Sequence, residues 1–437
     1  MQNKTTVDYF KGKKVTVMGL GLLGKRLGDI AFLSEMGAEV LVTDLKSAKE
    51  LAPSITKLKK YKNITYVLGK HRLEDFEKRD FILKGQGVPL DSIYIKHARE
   101  RGIPIEMDES LFAKLAPRVK IIGVTGTRGK STTTVLIYEI LKHAGKRVHL
   151  GGNIRGTAAL PLLKIVKPGD IVVFELSSWQ LQGFAEAKIS PHISVFTNFM
   201  PDHMNYYNND LDKYFTDKSY IYKFQKQADV LVLGPSMKGK VKDTKSKIIV
   251  ASTRNIPKSD NLLGKHNEEN IACAVAVAKA LKISEGVIKK TVKNFKAVPG
   301  RMELVKTIRG IKIYNDTNAS TPEATSAALE TLGQKKNIIL ILGGSDKNLE
   351  LKNLVKDIKR YTKAVVLIPG NGTNRIKKML GSGYYEGKNL KEIVKNSFSK
   401  ATSGDIILFS PAFTSFGMFN NEYDRGDKFM EIVKKLK

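Results

Sequence analysis

The sequence predicts an α/β protein of three domains: a Rossmann-like N-terminal domain, a central phosphate-loop ATPase domain and a Rossmann-like C-terminal domain. Three observations carry that expectation. Strand-sized apolar runs alternate with helix-like stretches along the whole chain, the pattern of mostly parallel sheets layered with helices. Two of the strands run directly into glycine-rich loops with a helix behind them, at Gly19–Gly24 and at Gly126–Ser131. The 437 residues exceed one ordinary core, and turn-forming joints divide them. The first block ends near Pro117, after Arg-Gly-Ile-Pro at 101–104 and a helix-like Glu109–Leu115. Pro299-Gly300 marks the second joint, so the domains are read as 1–117, 118–298 and 299–437.

In the first block, Lys14–Met18 reads as a buried strand. It feeds Gly19-Leu20-Gly21-Leu22-Leu23-Gly24, and a helix begins at about Lys25. Glycines spaced G-x-G-x-x-G between strand and helix allow a tight turn and aim helix N–H groups at an anion. A second strand, Glu39–Thr43, ends in Asp44, about 20 residues beyond the glycines and suited to a ribose hydroxyl. This pattern fits a nicotinamide cofactor, another diphosphate-bearing ligand such as a UDP-sugar, or close packing of helix on strand.

The second block opens with the strand Ile121–Val124, the loop Gly126-Thr127-Arg128-Gly129-Lys130-Ser131 and a Thr-rich helix start at Thr132. Strict G-x-x-x-x-G-K-[ST] spacing would put glycine where Val124 stands. The working parts are nonetheless present: glycines that let the backbone wrap phosphates, a lysine charge, and a hydroxyl able to ligate Mg²⁺. Strand Ile171–Phe174 ends at Glu175, and strand Ile193–Thr197 runs toward Asp202-His203. The carboxyl edge of a parallel sheet is where ligands bind, which makes Glu175 and His203 candidate metal ligands beside the loop.

Composition narrows the class further. Hydrophobic residues make up 42% and charged residues 27% of the chain, ordinary for a soluble globular protein. No apolar run approaches the roughly 18–20 residues that span a bilayer, and MQNKTTVDYF lacks the apolar centre of a signal peptide. The single cysteine, Cys273, cannot form an internal disulfide and suits a reducing compartment. It sits in the Ala-rich run Ile271–Ala280, expected to be a buried helix. A cytoplasmic protein without membrane insertion is expected. The net charge of +31 comes from 74 Lys and Arg against 43 Asp and Glu, spread over the whole chain. No nucleic-acid motif accompanies them, so they are read as a solvated surface that helps collect anionic nucleotides.

The stretches GTRGKSTT at 126–133, Gly151-Gly152-Asn153-Ile154, ELSSWQ at 175–180 and Asp202-His203 resemble the Mur ligases of peptidoglycan synthesis. The resemblance continues through GKHNEEN at 264–270, PGRME at 299–303, Asn315-Asp316, TPEAT at 321–325, LGGSDK at 342–347 and SPAFTS at 410–415. It covers essentially the whole chain in the family's order. It implies an ATP-dependent amide ligase, with UDP-N-acetylmuramoyl-L-alanine and D-glutamate as small-molecule substrates, no nucleic acid, and a monomeric chain. ATP would lie on Gly126, Thr127, Arg128, Gly129, Lys130, Ser131 and Thr132, with Asn267 and Asn270 near the adenosine and phosphates. Arg301 would face phosphate and Asp316 ribose.

Two Mg²⁺ ions would be held by Ser131, Glu175, His203 and a carbamylated Lys218, and catalysis would rest on Lys130, Glu175, His203 and Lys218. A lysine made neutral by its surroundings captures CO₂, and the carbamate is an anionic oxygen ligand. The UDP substrate would meet Gly19, Leu20, Gly21, Asp44, Asn153, Ser177 and Gln180, and the incoming amino acid Lys347 and Ser415. The chain departs from the family pattern at three places. Asn318 stands where D-glutamate-adding members commonly carry lysine, Glu422 falls where a phenylalanine is usual, and Gly85–Leu90 replaces Ser-Pro-Gly-Ile-Pro-Leu. A Mur-type step with another acceptor amino acid therefore stays open. Readings of a different class, a nicotinamide dehydrogenase or a basic nucleic-acid-binding ATPase, leave most of these motifs unexplained.

Overall fold

The computed structural model describes residues 7–21 and 25–436. Leu22, Leu23 and Gly24, the last three positions of the first glycine loop, lie outside the described residues. The chain forms two compact units, residues 1–257 with 269–291, and residues 258–268 with 292–437.

The first unit holds two sheets. Strands β1 Lys14–Met18, β2 Glu39–Asp44, β3 Ile64–Leu68, β4 Phe81–Lys84 and β5 Ile105–Glu106 form one, in the order β3-β2-β1-β4-β5. All its pairings are parallel. The order reverses between β1 and β4, so the crevice beyond their carboxyl ends is the switch point of a doubly wound sheet. Strands β6 Lys120–Thr125, β7 Val148–Gly152, β8 Ile171–Glu175, β9 Ile193–Phe196, β10 Val230–Leu233 and β11 Lys247–Val250 form the other, in the order β11-β10-β9-β6-β8-β7. It too is parallel throughout.

Both sheets of this unit contribute to one apolar core that runs from Phe10, Val15 and Phe32 through Leu111, Phe112 and Leu160 to Phe174, Phe184 and Leu231. The helix Lys25–Glu35 closes against residues 158–164: Asp29 accepts from the Leu160 amide at 3.1 Å, and a Cβ on Gly28 would lie 2.7 Å from the Ala158 methyl. The lysine-rich stretch 238–247 turns through most of its length and then enters the edge strand β11, which pairs only with β10.

The second unit holds β12 Glu303–Ile308, β13 Ile311–Asn315, β14 Ile338–Gly343, β15 Thr362–Ile368, β16 Tyr384–Glu386 and β17 Ile406–Phe409. Their order is β12-β13-β17-β14-β15-β16, with only β12–β13 antiparallel. The run Ile338–Leu342 is wholly apolar because β14 lies inside the sheet and is covered on both faces, as its complete burial shows. The helix Pro322–Leu332 starts as its sequence requires, with Thr321 extended at the cap and proline in the first turn. Cys273 is buried in the helix Lys265–Ala280, where burial pushes its thiol up to about 12. Among the described residues no helix is long and apolar enough to cross a membrane.

Candidate active site

The phosphate loop joins β6 to the helix Lys130–His143, so Lys130 and Ser131 fall in the first helical turn rather than before it. Gly129 caps that helix at φ 82°, in the left-handed region, and a Cβ there would lie 2.0 Å from Asn270 Oδ1. Gly126, at φ 144°, would carry a Cβ 2.0 Å from Thr197 Oγ1. Both positions therefore demand glycine for conformation and for space.

Around the loop, Asn198 Oδ1 accepts from the Arg128 amide at 2.8 Å, while Asn198 Nδ2 and Thr197 Oγ1 donate to the Arg128 carbonyl. Thr127 Oγ1 donates to the Met200 carbonyl, and Arg128 pairs with Asp202 at 2.7 Å. The expected strand end at Thr197 gives way one residue earlier, at Phe196, because Thr197 and Asn198 are committed to the loop. Asn198 braces the loop and is a site residue that motif reading did not single out. Its only signal is its place just past a strand at the sheet's carboxyl edge.

Two lysines converge on the loop. Lys130 Nζ donates to the carbonyls of Gly126 and Thr127, each at 3.0 Å, and Lys218 Nζ donates to the Gly126 carbonyl at 3.0 Å. Lys218 closes the helix Leu211–Ser219, is 1% exposed and lies 4.7 Å from the centre of the Tyr214 ring. Burial, reinforced by the Lys130 charge, holds its amine well below the usual lysine range. An amine so placed is biased to its neutral, nucleophilic form.

Glu175 ends β8 and is 2% exposed. Its Oε1 accepts from Asn153 Nδ2 at 3.4 Å, while the buried Oε2 has no hydrogen-bond partner among the described residues. A buried carboxylate oxygen left unmatched is costly unless a cation meets it. Gly152 brings the chain close: a Cβ there would lie 2.1 Å from the Glu175 carbonyl oxygen, and the Asn153 amide donates to that oxygen at 2.8 Å. The Ser131 hydroxyl and the Glu175 carboxylate are hard oxygen donors of the kind Mg²⁺ accepts, and the His203 imidazole is a borderline nitrogen donor beside them, so the fit to the ion rests on the two oxygen ligands. His203 lies in the loop after β9 at φ 55°, packs against Trp179 with ring centres 4.8 Å apart and planes tilted by 50°, and has Nε2 3.8 Å from Asp202. Among the described residues no three His, Cys, Asp or Glu side chains gather as a metal cluster.

At the first sheet's switch point, the amides of Leu20 and Gly21 donate to Asp44 Oδ2 at 2.8 and 3.3 Å, and the Lys46 amide donates to Oδ1 at 2.9 Å. Asp44, expected near a ribose, thus also closes the glycine turn. Ser177 and Gln180 form a capping box on the helix Ser178–Ala187, and the Gln180 amide reaches Glu109 at 2.5 Å. Asn270 Oδ1 accepts from Thr133 at 3.4 Å, placing it against the phosphate loop.

In the second unit, Asp316 follows β13 and accepts from Ser410 Oγ at 2.8 Å and the Met302 amide at 3.0 Å. Burial nevertheless pushes its carboxyl up to about 7, with the Arg301 charge opposing. Asn267 donates to the Leu263 carbonyl at 2.8 Å, Lys347 Nζ lies 3.4 Å from Ser320 Oγ, and Ser415 is buried. Arg425 is wholly buried, donating to the Thr317 and Phe413 carbonyls and to Thr317 Oγ1. It lies one turn beyond Glu422, whose charge opposes the burial that lowers the guanidinium to about 10.

The fold and the lysine-lined loop define an α/β protein with a phosphate-loop-like turn at the carboxyl edge of a parallel sheet. Family models for the Mur ligase MurD-like N-terminal domain, the Mur ligase middle domain and the Mur ligase glutamate ligase domain match residues 13–106, 124–261 and 300–413. A UDP-N-acetylmuramoylalanine–D-glutamate ligase of Borreliella afzelii is 37% identical, the match covering 98% of this chain and 99% of that protein. The enzyme of the same name from Roseiflexus is 34% identical over 97% of this chain and 99% of its own. The chain belongs to the Mur ligase family. Among solved structures, a UDP-N-acetylmuramate–alanine ligase from Thermotoga maritima shares the fold at a TM-score of 0.62 and 20% identity, covering 97% of this chain and 100% of that one. A MurF ligase from the same organism, in complex with ADP, does so at 0.62 and 18%, covering 98% of each chain.

Proposed function

We propose that this chain is the ATP-dependent, ADP-forming ligase that adds D-glutamate to UDP-N-acetylmuramoyl-L-alanine in the cytoplasmic assembly of peptidoglycan precursors. The observation that carries the chemistry is the convergence of Lys130 and Lys218 on the Gly126 carbonyl, at 3.0 Å each. The full-length match to relatives named for D-glutamate supports the acceptor.

The substrate carboxylate attacks the γ-phosphorus of ATP, ADP leaves, and an acyl phosphate forms. The amine of D-glutamate then attacks the acyl carbon, phosphate departs with the C–O electron pair, and the amine loses its proton. Such a transfer asks the protein for position and charge rather than covalent help. The amides of Gly126–Ser131 orient the phosphates, and Lys130 places a cation at the transferring group. Ser131, Glu175, His203 and a carbamylated Lys218 would hold two Mg²⁺ ions, which supply charge neutralisation on phosphate oxygens when bound. Lys218 meets the requirements for carbamylation: a buried amine biased to neutrality, beside the loop. Asn270 braces the loop, while Asn267, Arg301 and Asp316 serve ATP. Lys347 and Ser415 serve the amino acid, and Gly19–Gly21, Asp44, Asn153, Ser177 and Gln180 serve the UDP substrate. On this reading residues 1–117 take the UDP substrate, 118–298 the ATP and 299–437 the amino acid.

Asn318 and Glu422 favour a second reading, a different acceptor amino acid. The full-length match to relatives named for D-glutamate weighs against it. A phosphate-release assay with UDP-N-acetylmuramoyl-L-alanine against a panel of L- and D-amino acids separates the two. Turnover with D-glutamate alone is expected, and turnover with another amino acid but not D-glutamate overturns the acceptor.

A further inference from the structure

A buried lysine that no motif singled out stands at the switch point of the first sheet. Lys84 is the last residue of β4, registers with Met18 of β1 and is 1% exposed. Its ammonium donates to the Val88 carbonyl at 2.8 Å, to the Gly85 carbonyl at 3.3 Å and to Gln182 Oε1 at 3.4 Å. These are all neutral acceptors. Burial, with the Arg26 charge adding to it, lowers the amine to about 8. An apolar side chain of this size would be cheaper to bury than an ammonium with no carboxylate among its hydrogen-bond acceptors, even though the Asp217 and Asp108 charges offset part of the cost.

The line of contacts continues beyond Lys84. Gln182 is itself buried, and its amide nitrogen donates to Asp217 Oδ2 at 2.8 Å and to the Tyr206 hydroxyl at 3.2 Å. Tyr207 donates to the same Asp217 oxygen at 2.9 Å. Asp217 directly precedes Lys218 on the helix Leu211–Ser219, and Lys218 reaches the phosphate loop. The Gln182 amide has one orientation that works: oxygen toward a donor at Lys84, nitrogen toward the acceptor at Asp217. Remove the Lys84 amine, and the Gln182 oxygen loses its donor and the amide its fixed sense.

We propose that Lys84 is a positioning residue that ties the 85–90 loop of the first sheet, through Gln182 and Asp217, to the placement of Lys218. The loop in question is where this chain departs from its family, reading Gly85–Leu90 in place of Ser-Pro-Gly-Ile-Pro-Leu. A UDP-bearing substrate that settles on that loop meets the Val88 carbonyl that Lys84 holds, so its seating and the lysine at the phosphate loop share one polar line. This inference rests on the reading of Lys218 as part of the acyl-phosphate site.

The test is a double-mutant cycle in the full chain: Lys84→Met, Gln182→Met and the pair, assayed with UDP-N-acetylmuramoyl-L-alanine, D-glutamate and ATP. Each single change is expected to lower kcat about tenfold, as for residues that orient a ligand through another. The KM for ATP is expected to stay unchanged, the melting temperature of Lys84→Met to hold or rise, and the kcat of the pair to fall no further than that of the worse single change. A second variant, Lys84→Gln, keeps an N–H donor and is expected to lose less kcat than Lys84→Met at equal melting temperature. A pair that loses the product of the single effects, or kcat losses that only follow melting temperature, overturns the link. Lys218→Ala is run alongside. If it retains full activity, the reading of Lys218 falls and this proposal with it. If it is inactive while the cycle is additive, only the link fails.

Discussion

Two loops in the first unit share one plan, a parallel strand, a glycine turn and a helix, and they differ in charge. At Gly19–Gly21 the backbone amides turn onto the carboxylate of Asp44. At Gly126–Ser131 the backbone carbonyls turn onto the amines of Lys130 and Lys218. The first loop carries its own anion. The second concentrates positive charge and leaves an anion to be supplied from outside. Glycine spacing sets the shape of such a loop, and the side chains around it decide what it captures.

That contrast predicts where substitutions hurt. Lys130→Ala removes the cation at the transferring phosphate, and amide formation is expected to fall by about a thousandfold or more. Near-normal turnover in a coupled ADP assay would break the contrast at its stronger side. Lys218→Ala is expected to lose about a hundredfold, with part of the rate returning when short carboxylates are added, since these would replace the anionic ligand proposed at a carbamylated Lys218. Mass spectrometry showing an unmodified lysine in a fully active enzyme would remove the carbamate. Glu175→Gln keeps the shape but withdraws charge from an oxygen that has no hydrogen-bond partner among the described residues. Its rate is expected to fall about tenfold or more, with a higher Mg²⁺ concentration needed for half-maximal activity. An unchanged Mg²⁺ dependence would exclude Glu175 as a ligand. Asp44→Asn weakens the self-held loop, and an increase of several-fold is expected in the KM for the UDP substrate, with the KM for ATP constant.

The smallest effect concerns a carboxylate that one amide and one hydroxyl do not rescue. Asp316 accepts two hydrogen bonds, yet its carboxyl is raised to about 7. Between its unfolded value near 4 and that folded value, the folded chain holds a proton the unfolded chain releases, so this group's contribution to stability falls as pH rises through the window. The melting temperature of Asp316→Asn is expected to decline less from pH 5 to pH 8 than that of the native chain. Parallel declines would contradict the assignment.

Strands such as β8 and β14 were legible because their apolar residues run continuously, and burial on both faces of a parallel sheet requires such runs. The phosphate loop was legible because strand, glycines, lysine and helix occur in fixed order. Lys218 was legible only through the family resemblance, since nothing in its own neighbourhood sets it apart from the chain's many other lysines. Lys84 carried no signal at all. A lysine ending a short strand reads as solvent-facing, and its acceptors come from the loop that follows it and from a helix distant in sequence. Ser177 and Gln180 had a readable local meaning, the S-x-x-Q capping box, which the structure shows directly. Asn198 was hidden because a single asparagine after a strand fits any loop.

The central claim is that this site makes an acyl phosphate, and an isotope experiment tests it most directly. UDP-N-acetylmuramoyl-L-alanine labelled with ¹⁸O in its free carboxylate is turned over with ATP and D-glutamate, and the released phosphate is weighed. One ¹⁸O in each phosphate is predicted, because the carboxylate oxygen that attacks phosphorus leaves with it. Unlabelled phosphate, formed at the rate of amide synthesis, would contradict the account.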